Sequence, residues 1–507
     1  MISEAVQIDS GALSGVTSSD GSCRIFRGIP FAAPPVGELR WRAPQPVLPW
    51  RGTRPADRFG SACIQPLIAR DAFMQQFSFA EPPECGLSED CLYLNVWTPA
   101  PHSAARLPVI VWVFGGGHRF GSGSHPVSDG EALARQGSIV VTINYRVGAL
   151  GYLAHPALAA EAGSSGNYAS LDILAALGWV QRNIAAFGGD PECVTLFGQS
   201  AGAAHACVLM ASPLSRGLFH RVIAHSGGRF RGGAMGVLKP HAAAEQEGAE
   251  LLEKLGARDL NAMRNLPADV MFGPRGFWNL ILDGQVLTEL VSETFARGAQ
   301  LPVPVLCGFN RHEAAPYPTP DLHTLEGFRS HAKAQFGDAA ETVLKLYAVA
   351  DDASARTGSY ALRRDGNFAY QAWQLARHNN SAGAAAFLYE FTRAPPLPPG
   401  RHFHEPTPPG GFGAYHGAEL WYAFDNLERQ PWAWSAADRT LAKRMCSAWA
   451  QFARSGDPRV DGLEAWAPYD DALGAGIVLD SEPRFAPLEN LPALRFLEQF
   501  YQRPRGA

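Results

Sequence analysis

Two kinds of hydrophobic pattern divide the chain. In the first half, short unbroken apolar runs alternate with stretches at helical spacing. Residues 108–114 (PVIVWVF) and 138–144 (SIVVTIN) are continuous runs of strand length, the kind buried on both faces. Residues 171–184 follow as a helix, GGDP at 188–191 breaks the chain, and 194–197 (VTLF) is a third strand. Residues 203–210 read as a further helix, and 219–226 hold another strand. Strands alternating with helices predict βαβ units and a mostly parallel sheet. The second half is more helical, with amphipathic helices expected over 241–256, 326–349 and 436–454. The proline-rich stretch 394–410 between them reads as a surface connector or the rim of a pocket mouth. Neither an internal repeat nor a linker-like break is evident, so residues 1–507 read as one large α/β domain.

Composition narrows the partners. The chain is 46% hydrophobic and 18% charged, with a net charge of −5 and no block of like charges. That excludes a nucleic-acid footprint. The apolar runs are too short for a membrane span. A small-molecule substrate is the expectation. The start, MISEAVQIDSGALSG, lacks the charged beginning and apolar core of a secretion signal. The expected compartment is the cytoplasm, or an exported location if a leader is not part of this sequence. The eight cysteines form no CxxC pair and no Cys/His cluster with zinc-ligand spacing, so no metal site is expected.

The candidate chemistry begins at LFGQSAGAAHA, residues 196–206. Alone, G-x-S-x-G is a tight turn. Here a strand runs into Ser200 and a helix of small residues leaves it, the setting of a nucleophile elbow. Gly198 and Gly202 let strand and helix approach, and the helix N-terminus favours negative charge developing at the hydroxyl. Upstream, FGGGH at 114–118 follows a buried strand, and successive glycines let backbone N–H groups approach a substrate oxygen. A serine nucleophile needs a base, and the base needs an acid. In the order serine, acid, histidine, the bases left are His378, His402, His404 and His416, and the acids Asp283, Glu313 and Asp321.

At this point the residues carry a likeness. FRGIPFAAPPVG at 26–37, SEDCLYLNV at 88–96, and the run from GGDP at 188–191 to GQSAG at 198–202 resemble, in order, the signatures of the type-B carboxylesterases. This is the carboxylesterase/cholinesterase family of the α/β-hydrolase fold. The resemblance implies a large, mostly parallel sheet flanked by helices, with largely helical insertions over residues 320–415 bordering the active site. It implies a triad of Ser200, Glu313 (in GFNRHEA, 308–314) and His416 (in YHGAEL, 415–420), oxyanion donors at Gly116, Gly117 and Ala201, and no cofactor. It also implies a Cys63–Cys91 disulfide, ion pairs Arg40–Glu89 and Arg146–Asp172, and a structural turn at Asp283-Gly284.

Departures from the family pattern bear on the substrate. Ala314 replaces the glycine that usually follows the acid. Gln199 stands where glutamate is common, and no tryptophan lies between Cys63 and Cys91, which together argue against a quaternary-ammonium substrate. His118 replaces an aromatic residue, and Arg119, Arg229 and Arg231 fall in segments that border the acyl side in relatives. The expected function is a serine carboxylic-ester hydrolase with a preference for polar or anionic acyl groups. Alternatives are an amidase or carbamate hydrolase using the same triad, or a non-catalytic binding module on the same fold.

Overall fold

In the computed structural model, which describes residues 4–69, 71–74, 86–230, 232, 238–272 and 278–502, the unbroken apolar runs become inner strands of an eleven-stranded sheet. In chain order its strands are β1 (Val16–Thr17), β2 (Arg24–Pro30), β3 (Tyr93–Thr98), β4 (Leu107–Val113), β5 (Ile139–Ile143), β6 (Gly189–Gln199), β7 (Arg221–His225), β8 (Val305–Asn310), β9 (Ala386–Phe391), β10 (Ala475–Leu479) and β11 (Arg484–Pro487). Across the sheet they lie in the order β11-β10-β9-β8-β7-β6-β4-β5-β3-β2-β1. Neighbours from β10 to β5 are parallel, and the pairs outside them are antiparallel. A parallel strand needs a helical crossover, so both faces are covered and the strands carry apolar residues on both sides.

The main helices are α1 (Gly148–Tyr152), α2 (Tyr168–Asn183), α3 (Ala201–Ala211), α4 (His241–Lys254), α5 (Leu325–Phe336), α6 (Ala340–Leu346), α7 (Asp352–Arg364), α8 (Tyr370–Ser381), α9 (Ala436–Ser455) and α10 (Leu491–Gln502). Helix α3 is buried from Ala201 to Met210, which its small residues allow. Helix α9 shows the opposite design. Ser435 and Asp438 form a reciprocal capping box, Leu441, Met445, Trp449 and Phe452 face inward, and Gly456 ends the helix in the left-handed region.

Several elements differ from the sequence pattern. Gly188 ends the helical segment in the left-handed region, as GGDP predicts, but Gly189–Pro191 already belong to β6, whose register against β4 shifts between Gly189 and Val194. The helix expected over 326–349 is broken at Gly337, where φ is +58°, into α5 and α6. The helical second half also contains β8, β9 and β10, and β9 lies inside the segment 320–415 expected to be insertion. These strands are buried along their whole length. They therefore lack the alternation that marks a strand, and a run of five or six residues is too short to separate from a helix turn. The proline-rich stretch 394–410 forms neither helix nor strand, as expected.

The expected Cys63–Cys91 disulfide is not formed; both are buried thiols. The Cys91 thiol is hydrogen-bonded to Cys63, and the Cys63 sulfur also accepts the Val147 N–H at 3.5 Å. That contact and burial push the Cys91 thiol up. The two ion pairs are present. Arg40 binds Glu89 through two bonds of 2.7 and 2.6 Å. Arg146, following β5, binds Asp172 on α2 through its side chain at 2.8 and 2.7 Å and its backbone N–H at 3.0 Å. Asp283 accepts the N–H groups of Gln285 and Leu287, making the expected turn.

The Arg146–Asp172 pair is 2% and 0% exposed, so removing one partner strands the other charge without water. Asp172→Ala is expected to lower the unfolding free energy by about 3–5 kcal/mol. Urea denaturation of the wild type and variant measures this.

Candidate active site

Strand β6 ends at Gln199 and α3 begins at Ala201, so Ser200 alone makes the turn, with φ 54° and ψ −116°. A side chain in that region is strained, and the surroundings must hold it there. The Ser200 N–H donates to the His225 carbonyl of β7 at 2.8 Å, and its own carbonyl accepts the Ala204 N–H at 2.9 Å. Close crossing of α3 explains the flanking glycines. A Cβ at Gly202 would lie 2.0 Å from the Val113 carbonyl oxygen of β4, and one at Gly198 would lie 2.3 Å from the Gly202 backbone.

His416 and Glu313 come together from distant parts of the chain. The His416 Nδ1–H donates to Glu313 Oε2 at 2.6 Å, and Glu313 Oε1 accepts the Asn310 N–H at 2.7 Å. On the other edge of the ring, the Gln199 side-chain amide donates to His416 Nε2 at 3.1 Å. An amide N–H can only donate, so Nε2 is an acceptor and the proton sits on Nδ1. The rings of Phe368 and Tyr317 flank the imidazole, with centroids 4.7 and 5.9 Å away. Deeper in the protein, Asn310 donates to Glu419, which pairs with His225 at 3.2 Å, and the Trp449 indole N–H donates to His225 at 2.8 Å. Burial raises the Glu419 carboxyl, but bonds from His225 and Asn310 outweigh it and hold the group below its ordinary value.

Ser200, Ala201, Gly116, Gly117 and His416 all line one cavity of about 340 Å³. The loop after β4 curves around it through three successive residues with positive φ: Gly116 at 116°, Gly117 at 59° and His118 at 63°. Such a run of backbone makes a concavity suited to an anionic oxygen. His118, Arg119, Arg229 and Arg363 line the same cavity, and among the described residues no aspartate or glutamate does. Arg119 is exposed, whereas Arg229 is buried, and burial pulls it down to about 10. Arg363 donates to the Tyr317 carbonyl and to Thr319 Oγ1.

Gln199 is 2% exposed and sits behind the elbow rather than in the cavity wall. Arg231 lies outside the described residues. The other histidines and acids left open by chain order do not join the cavity. His378 stacks on Phe230 with centroids 5.5 Å apart, His402, His404 and Asp321 are exposed, and Asp283 makes its turn. The sequence did not signal Arg363, Asn367 or Phe368. Arg363 lies in the last turn of α7, and the other two sit on the π-helical turn Asp365–Ala369, which breaks the 3.6-residue period that would have placed them. Among the described residues no group of His, Cys, Asp and Glu is arranged to hold a metal ion, and no helix is long and apolar enough to cross a membrane.

The sequence model described as "Carboxylesterase family" matches residues 2–489. The chain is 38% identical over 485 residues to a fumonisin B1 esterase of Sphingopyxis macrogoltabida, covering 91% of this chain and 84% of that one. It is 33% identical over 505 residues to a para-nitrobenzyl esterase of Bacillus subtilis (strain 168), covering 95% and 96%. Among solved structures, a thermophilic PNB esterase superposes with a TM-score of 0.82 at 31% identity, covering 97% of this chain and 99% of that one. On sequence and on fold together, the chain belongs to the carboxylesterase family and is a carboxylesterase with the α/β-hydrolase fold.

Proposed function

We propose that Ser200 hydrolyses carboxylic esters through an acyl-enzyme, with His416 as base and Glu313 as its orienting acid. The observation that carries this reading is the His416 ring, fixed by Glu313 at Nδ1 and unprotonated at Nε2, lining the same cavity as Ser200. His416 Nε2 exchanges its contact with Gln199 for the Ser200 hydroxyl and takes the proton as Oγ attacks the ester carbonyl. The N–H groups of Gly116, Gly117 and Ala201 receive the oxyanion. Imidazolium then protonates the departing alcohol. In the second half, His416 takes a proton from water, whose oxygen attacks the acyl carbon, and returns it to Ser200 as the acid leaves.

The names of the relatives describe different esters, so family membership leaves the acyl group open. The cavity wall narrows it. Arg119, Arg229 and Arg363 in that wall support a polar or anionic acyl group, which guanidinium groups bind through paired hydrogen bonds.

The decisive test is Ser200→Ala with a chromogenic short-chain ester. Its kcat is expected to fall by at least about 10⁴-fold; hydrolysis at the wild-type rate would remove Ser200 from the mechanism. Gln199→Glu tests the other contact of the base. A carboxylate beside Nε2 favours imidazolium, so the base is available only at higher pH, and the acidic limb of the kcat/KM profile is expected to move upward in pH. For Arg363→Ala, the ratio of KM for a carboxylated ester to KM for its neutral analogue is expected to rise about tenfold, measured by steady-state kinetics on the pair. An unchanged ratio would place Arg363 outside acyl recognition.

A further inference from the structure

Gly117 has open space where a side chain would stand: beyond its chain neighbours, a Cβ there would meet no atom within 4 Å. Packing at its own position does not fix it, so its place is inherited from the residues beside it. His118 follows with φ 63°, a conformation that a residue other than glycine keeps only where its surroundings impose it. Helix α1 grips His118 from both of its ends. Its first residue, Gly148, donates its N–H to the His118 carbonyl at 2.7 Å, and the hydroxyl of its last, Tyr152, lies 2.8 Å from His118 Nδ1. The same hydroxyl lies 2.7 Å from His205 Nε2 in α3, and His205 Nδ1 lies 3.0 Å from Ser170 Oγ at the start of α2. On the other side of the glycines, Tyr145 donates its hydroxyl to the Phe114 carbonyl at 2.7 Å and stacks on the Phe114 ring with centroids 4.1 Å apart. The Tyr145 ring in turn packs edge-on against His205, 5.4 Å away. Glycines 115–117 are thus bracketed, and both brackets meet at His205. His118, Tyr145, Tyr152, Ser170 and His205 are all buried.

The chemistry of the groups fixes the order of the protons. Arg229 Nη2 lies 2.6 Å from His118 Nε2, and a guanidinium can only donate, so Nε2 accepts and the Nδ1–H donates to Tyr152. The Tyr152 O–H therefore donates onward to His205 Nε2, and the His205 Nδ1–H donates to Ser170. Burial, and after it the charge of Arg229, pushes His205 down to about 3, so at neutral pH the ring is uncharged and Nε2 is an acceptor. The acceptor that orders Tyr152, and through it His118, stands on the helix that opens at Ala201.

We propose that His205 and Tyr152 are positioning residues for the oxyanion loop: through His118 they hold the N–H groups of Gly116 and Gly117 in register with the Ala201 N–H of the helix that carries His205. The inference rests on the serine mechanism proposed above, with those three groups as its oxyanion donors. It adds the residues that set the distance between the loop and the elbow helix. Neither His205 nor Tyr152 touches the substrate; both act through His118. The variants that test them leave the loop itself unchanged.

The test compares para-nitrophenyl butanoate with its thiono analogue, in which sulfur replaces the carbonyl oxygen and gains less from N–H donors placed for oxygen. Tyr152→Phe removes one hydroxyl and keeps the ring. Losing an oxyanion donor outright costs about 10²–10³ in kcat, so loosening donors that remain is expected to lower kcat for the oxygen ester about tenfold, with KM unchanged. The kcat ratio of oxygen ester to thiono ester is expected to fall by nearly the same factor. His205→Leu, which cannot accept from Tyr152, is expected to do the same, and His205→Gln, which can, to restore the wild-type kcat and ratio. The His205 pair reads the inference even where Tyr152→Phe does not fold. If kcat falls alike for both esters, so that their ratio keeps its wild-type value, these residues support the fold at large and the inference is overturned. Wild-type kcat in Tyr152→Phe and His205→Leu overturns it as well. If the wild type shows no preference for the oxygen ester, the oxyanion reading of the glycine loop falls and takes the inference with it.

Discussion

The contact on which the rest of the molecule depends is backbone against backbone: α3 crossing β4 and β6 with no side chain between them. The 2.0 Å that a Cβ at Gly202 would have to the Val113 carbonyl leaves no room for any residue but glycine. Because the helix lies that close, the single residue joining it to β6 cannot relax, and Ser200 is held at φ 54°. The N-terminus of α3 and the glycine loop after β4 are then brought to the same cavity, because β4 is the strand that α3 crosses. In the proposed mechanism, the geometry of attack and the geometry of oxyanion binding are thus one constraint.

Around that constraint, polar groups are arranged in two buried networks of different character. One runs from Glu313 and His416 through Asn310 to Glu419 and His225, and it contains two carboxylates. The other runs from Arg229 to Ser170 and contains none. A buried hydrogen bond is strong where the surrounding dielectric is low, and an unmet one is costly, so both networks specify one arrangement of their side chains.

The parts legible in the sequence are those where one chemical need is met by neighbouring residues. The elbow is written in five consecutive residues, the glycine loop in three, and strands β4, β5 and β7 stand out as unbroken apolar runs. Glu313 and His416 were not separable from Asp283, Asp321, His378, His402 and His404 by spacing; only their likeness to family segments chose them. The strands β8, β9 and β10 stayed hidden because burial on both faces erases alternation. Phe368 stayed hidden because the π-helical turn Asp365–Ala369 shifts the face its segment presents. His118 was legible as a departure, but its partners Tyr152 and His205 were not, since pairing across 34 and 53 residues leaves no local trace.

The order of strands across the sheet differs from their order along the chain, and this has a temporal meaning. During synthesis the glycine loop precedes the elbow, with β5, α1 and α2 between them, although β4 and β6 are neighbours in the sheet. The proposed base comes later: His416 lies 103 residues beyond Glu313 and 217 beyond Gln199. Between Gln199 and His416 come β7, β8, the helices α4 to α8, and β9, which lies between β8 and β10 in the sheet. On the proposed mechanism, the serine is therefore synthesised well before the histidine that would activate it.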